Sequence, residues 1–125
     1  MAKLLIALVG GLFLLYGLAY ILAPTSMMFW TTGDGLDTAS ARIDTRATYG
    51  GLFCAVGVAL LGLSRDQNHQ GFGLIFVATV LFGMAIGRSF GLLLDGTGNL
   101  LMWLFVGLEL GGGALALWLL RRQRG

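Results

Sequence analysis

The stretch Asn99–Leu120 reads NLLMWLFVGLELGGGALALWLL, and Arg121, Arg122 and Arg124 follow it. It is long enough to cross a bilayer as one helix, since about 20 apolar residues span the hydrocarbon core. Its single ionisable residue, Glu109, lies near the middle. A charge at that depth costs on the order of 2.5–3.5 kcal/mol on insertion scales. A fold built around this run has to pair Glu109, bury it against protein or keep it protonated.

The rest of the chain points to the same solvent. Hydrophobic residues make up 57% and charged residues only 11% of the sequence. A soluble domain carries about 25% charged residues, so this inventory cannot cover a water-facing surface. The 21 glycines lie inside apolar runs without a collagen period, as expected where membrane helices approach closely. A net charge of +2, with the arginines spread along the chain, offers no basic stripe for nucleic acid. One cysteine, Cys54, excludes an intrachain disulfide and reads as packing. With His69 the only histidine, the spacing of a zinc or haem site is missing, and no metal ligands are assigned.

Taken in order, the first apolar run is Leu4–Ala23, ended by Pro24. It reads as a retained spanning helix: it exceeds a usual signal-peptide core, and bulky Ile21 stands where a cleavage site needs a small residue. Ala7 and Gly11 form a small-residue pair on it. The polar segment Thr25–Asp44 follows. Met27–Trp30 is expected at headgroup level, Gly33-Asp34-Gly35 reads as a turn, and Asp37 or Thr38 can cap the next helix. That helix is predicted to begin in water, carry Arg42 and Arg46, and enter the membrane near Tyr49. Asp95-Gly96-Thr97-Gly98 reads as a tight turn, with Asn99 as a candidate cap for the last span. The predicted spans are about residues 4–23, 47–63, 71–93 and 99–120, in a single domain. The fold class is all-α, an integral membrane four-helix bundle.

Lys3, Arg65, Arg121, Arg122 and Arg124 fall on the side of the termini; Arg42, Arg46 and Arg88 fall opposite, offset by Asp34, Asp37, Asp44 and Asp95. The Lys/Arg excess predicts cytoplasmic termini. Gly83, Gly87 and Gly91 form a GxxxGxxxG ladder, and Gly107 and Gly111 repeat the spacing in the last run. Both are expected as helix-packing faces.

The residues that invite chemistry are Glu109, Arg88 and Arg46, with Tyr49 alongside. Glu109 and the two arginines enter from the same side of the membrane and are expected to converge. Ionisable groups at membrane depth usually face the protein interior and pair. Two readings stay open: an ion pair that sets helix register, or a ligand, proton or anion site. Two arginines against one glutamate would leave a positive charge suited to an anionic headgroup, a carboxylate or a quinone oxygen, unless Asp44 or Asp95 neutralises it. No P-loop, GxSxG or HExxH pattern is present.

The run ARIDTRATYGGLFCAVGVALL, the arginine of MAIGRSFGLLLDG and the glutamate of the last span resemble the small bacterial membrane proteins grouped as domain-of-unknown-function family 4345. Arg46-x-x-Tyr49-Gly50-Gly51 is the most specific part of the likeness, which covers most of the chain. It implies four helices and no established activity. More distantly, span count and size are similar to DoxX-like proteins, some of them associated with quinone-linked redox complexes. Small multidrug transporters also have four spans and a membrane glutamate, but theirs lies in the first span, where this chain has none.

The function expected from these readings is a small bacterial inner-membrane protein without catalysis of its own, an accessory or lipid- or small-molecule-binding component. Its candidate site is Arg46, Tyr49, Arg88 and Glu109. No dedicated cofactor is expected; a bound lipid or quinone is the candidate occupant. Membrane lipid, a larger membrane complex or a homo-oligomer are the expected partners. Alternatives are a proton-coupled or anion-binding transporter acting as a homo-oligomer, and an auxiliary subunit of a quinone-linked oxidoreductase.

Overall fold

A computed structural model describes residues 1–96 and 98–124, without the side chain of Arg124. The architecture is all-α. Helix α1 is Ala2–Leu22, α2 Pro24–Thr32, α3 Ala39–Thr45, α4 Leu52–Arg65, α5 Gln70–Asp95 and α6 Leu100–Arg124. A π-helical turn, Arg46–Gly51, joins α3 to α4 without a break, so Ala39–Arg65 forms one membrane-length helix. A single 3-10 turn, Gln67–His69, precedes α5. Four helices are therefore long and apolar enough to cross a membrane. Their surfaces identify the solvent: Leu4, Leu8, Leu12 and Leu15 run down α1 and are all more than half exposed. Such a stripe is tolerable only against lipid tails, which leave no hydrophobic penalty for an exposed leucine.

The helix boundaries follow local chemistry. Proline ends α1 and then opens α2, where its missing N–H and fixed φ suit the first helical position. Gly33, at φ +87°, closes α2 with its N–H donating to Phe29 O, a left-handed cap that a Cβ would strain. Thr38 caps α3 by accepting from the Ala41 N–H at 3.1 Å. Asn99 does the same for α6, its Oδ1 accepting from the Met102 N–H at 3.2 Å. Of the turn expected after α5, Thr97 lies outside the described residues.

The chain divides into two compact units, Ala7–Gly62 and Met1–Ile6 with Leu63–Gly125. In the first, α1 and α4 approach backbone to backbone along a seam of four glycines. A Cβ on Gly10 would stand 3.1 Å from Gly57 O, and one on Gly57 only 2.7 Å from Gly10 O. Seven residues along each helix, a Cβ on Gly17 would stand 2.8 Å from Gly50 O. Cys54 packs in this seam, its Sγ 3.8 Å from Leu14 O. Beside the seam, Phe13, Tyr16, Tyr20, Tyr49 and Phe53 form a continuous aromatic cluster with centroids 5.1–5.8 Å apart. Tyr20 is buried and shares a 2.8 Å hydrogen bond with Thr31, which ties α2 to α1.

In the second unit α5 and α6 pair antiparallel. The buried stripe of α5 is Gly73, Leu74, Val77, Ala78, Leu81 and Ala85; that of α6 is Glu109, Gly113, Ala116 and Leu119. A Cβ on Gly112 would meet Leu81 Cδ1 at 2.8 Å, and one on Gly113 the Phe82 ring at 2.9 Å. The glycines expected to pack lie elsewhere. Within the unit, a Cβ on Gly83, Gly87, Gly107 or Gly111 meets nothing within 4 Å, and one on Gly91 only Asp95 Oδ2 at 3.9 Å. The reason is angular. Gly83 and Gly87 each stand two residues beyond a buried position, Leu81 and Ala85, and Gly107 and Gly111 flank Glu109 by two. Two residues turn a helix by about 200°, onto the opposite face.

Candidate functional site

Arg88 and Glu109 continue the two inner stripes of α5 and α6. Arg88 lies three residues past Ala85, and Glu109 four before Gly113, so both project into the helix pair. Glu109 sits nine residues into α6 and Arg88 seven before the end of α5, roughly 14 and 10 Å from the helix ends at 1.5 Å per residue. The flexible arginine closes that difference. Its Nη2 donates to Glu109 Oε1 at 2.8 Å, and its Nε lies 3.3 Å from both carboxylate oxygens. Such a side-on fork is the strong geometry for an arginine–carboxylate pair. The remaining contacts are soft: Nη1 donates to Met102 Sδ at 3.3 Å, and the guanidinium carbon stands 5.0 Å from the Phe105 ring centroid. Met102 and Phe105 lie seven and four residues before Glu109, on its own face of α6.

The pair is asymmetric. The Glu109 side chain is 7% exposed and the Arg88 side chain 22%. The carboxylate is buried, and Arg88 is among the residues lining a groove of about 290 Å³ where α5 ends and α6 begins. Gly91, Gly96 and Gly98 keep the walls low, Leu92 and Met102 make them apolar, and Asp95 stands at the rim. Gly96, at φ +92°, makes the turn that opens this mouth, a conformation suited to glycine. Arg88 and Glu109 cancel in charge, and Asp95 adds a carboxylate. The groove therefore presents hydrogen-bond donors with no surplus positive charge.

Arg46 and Tyr49, expected at the same site, belong to the other unit and have partners there. Arg46 Nε donates to Ile21 O at 2.9 Å. Ile21 O is one of the last carbonyls of α1, which have no donor within their own helix, so the arginine satisfies a terminal carbonyl and sets a positive charge at a helix C-terminus. Tyr49 stacks on Tyr20 at 5.2 Å and meets Phe53 edge-on at 5.8 Å. Both residues lie in the π turn, an irregularity frequent at functional positions. Asp95, one of the two candidate countercharges for the arginines, lines the same groove as Arg88. Met102 is the residue the sequence did not suggest, although a signal existed, since it is two helical turns from Glu109. Among the described residues no group of three or more His, Cys, Asp or Glu side chains is placed to hold a metal ion.

Four membrane-length helices and a carboxylate–guanidinium pair buried between two of them define a multi-pass α-helical membrane protein with an intramembrane ion pair. Residues 1–120 match the family described as "Domain of unknown function (DUF4345)", and the chain belongs to that family. No curated protein and no solved structure matches it.

Proposed function

We propose that the protein is a non-catalytic binding component of the bacterial inner membrane, with Arg88 as the group that recognises its ligand. The observation that carries this reading is the asymmetry of the ion pair. Glu109 is sealed and spends its oxygens on Arg88, whereas Arg88 faces the groove. A guanidinium has five N–H donors; Glu109 and Met102 engage three nitrogens and leave hydrogens on the terminal nitrogens to spare. A register-fixing pair has no use for such a mouth. The ligand class follows from charge. Because the pair is neutral and Asp95 adds a carboxylate, an uncharged acceptor suits the groove better than an anion. A quinone carbonyl or the ester carbonyl of a lipid meets that requirement, with its apolar body against Leu92 and Met102.

The test is organic extraction and mass spectrometry of the gently purified protein. Wild type should carry a quinone or a defined lipid. The charge-neutral double variant Arg88→Met/Glu109→Gln, checked for an unchanged helical circular dichroism spectrum, should lose it. Equal retention by a folded double variant would reject the site.

A further inference from the structure

At the opposite end of the α5–α6 pair lies a second cleft, of about 410 Å³. Its mouth carries the amides of Gln67, Asn68 and Gln123, and its inner part is lined by Phe72, Ile75 and Leu120. The cleft thus changes from hydrogen-bonding to apolar along the direction in which α5 enters the membrane, as a phospholipid changes from headgroup to chain. Gly71 borders it: a Cβ there would stand 3.9 Å from Leu120 Cδ1, in ordinary van der Waals contact, so a longer side chain at this position would fill the cleft.

The charge at this end is one-sided. Within the unit, Ile6 packs on Gly73, with its Cδ1 2.8 Å from where a Cβ would be. The contact brings the start of α1 to the same end as Arg65, Arg121 and Arg122, and Lys3 with it. The acid at this end, Asp66, is occupied: its Oδ1 accepts from the Asn68 N–H at 2.9 Å, and its Oδ2 lies 2.6 Å from His69 Nδ1. Arg122 is held over the Trp118 ring, 4.6 Å from its centroid, which keeps its charge at the depth where indole rings settle. Each basic residue near a bilayer surface contributes about 1 kcal/mol of attraction for anionic lipid.

We propose that this cleft binds one anionic phospholipid, the amides of Gln67, Asn68 and Gln123 holding the phosphate-bearing headgroup and Phe72, Ile75 and Leu120 the first part of an acyl chain. The arginines supply the preference for a negative headgroup; the cleft supplies the position. The site is separate from the Arg88 groove and stands whether or not that groove binds a ligand.

Native mass spectrometry of delipidated protein, with phosphatidylglycerol or phosphatidylcholine of matched chains added, reads the preference directly. Wild type should retain phosphatidylglycerol over phosphatidylcholine by about fivefold or more. Arg121→Gln/Arg122→Gln should bring that ratio close to one, whereas Gln67→Ala/Gln123→Ala, which changes only exposed side chains, should weaken retention of both lipids. Gly71→Leu, which fills the cleft without touching a charge, should abolish the retained lipid while leaving the arginines in place. Equal retention of the two lipids by wild type would overturn the proposal, as would full retention by the Gly71 variant. Displacement of phosphatidylglycerol by inorganic phosphate would also overturn it, by showing a site for the free anion alone.

Discussion

Gly10 and Gly57 each stand where the other's carbonyl oxygen leaves no room for a side chain, at 3.1 and 2.7 Å from a would-be Cβ. Close approach of this kind is what holds helices together in lipid, where there is no hydrophobic gradient between them and packing decides. Gly57→Ala would press a methyl group on backbone at Leu14 N and Gly10 O, 2.6 and 2.7 Å away, and neither atom can give way. Overpacking of this sort costs about 1–3 kcal/mol. Thermal unfolding in detergent should show a clear fall for Gly57→Ala. Gly87→Ala, with open space in its unit, should leave the midpoint unchanged or raise it slightly, as helix propensity favours alanine by up to about 1 kcal/mol. Equal losses at the two positions would contradict the assignment of the seam.

Breaking the Arg88–Glu109 pair from one side should hurt more than removing both charges. Glu109→Gln leaves a guanidinium beside Met102 and Phe105 with no countercharge, a loss of about 3–5 kcal/mol for a buried pair. Arg88→Met strands the carboxylate and should cost a similar amount. The double variant should recover most of either loss, because well-packed neutral groups avoid the desolvation penalty. A double-mutant cycle with no coupling would refute the pairing.

Arg46 is expected to secure the end of α1. Removing its hydrogen bond to Ile21 O by Arg46→Met should destabilise the protein by about 1.5–3 kcal/mol, the range for a bond with one charged partner. Hydrogen exchange should quicken at the end of α1.

Asp66 caps the 3-10 turn before α5. Its carboxyl is held below the ordinary Asp value of about 3.9, first by the Asn68 N–H and then by the side chain of His69. A folded pKa below the unfolded one stabilises the turn above the unfolded value, and that contribution disappears as pH falls through the folded value. Carboxyl NMR should therefore show Asp66 titrating below the ordinary Asp value, and hydrogen exchange at Asn68 should rise over the same acid range. Asp66→Asn should remove that pH dependence while keeping the cap acceptor.

Both termini are expected in the cytoplasm, on the Lys/Arg excess. A reporter fused after Gly125 should be active only as a cytoplasmic form, and one inserted between Gly33 and Asp37 only as a periplasmic form. The reverse pattern would invert the assignment and place the amide-lined cleft in the outer leaflet.

Much of this protein can be read from the chain alone. Length and polarity of the four apolar runs require membrane helices, because no other element satisfies its own backbone in lipid. Thr38 and Asn99 are read as caps from residue type and position. The Arg88–Glu109 pair is legible because one acid lies deep and an arginine able to reach it enters from the same end. What tertiary structure decided is which small-residue face meets which helix. The ladder Gly83-Gly87-Gly91 and the pairs Gly10/Gly17 and Gly50/Gly57 look alike in sequence, yet only the last two pairs carry the close approaches of their unit. Likewise Arg46 reaches the Ile21 carbonyl at the end of α1, a contact that exists only once α1 and the π turn are side by side. In water, the apolar side of a helix announces its own burial. In lipid every face is comfortable, so the choice among faces rests on backbone proximity and on where polar groups find partners, and only the folded chain supplies those.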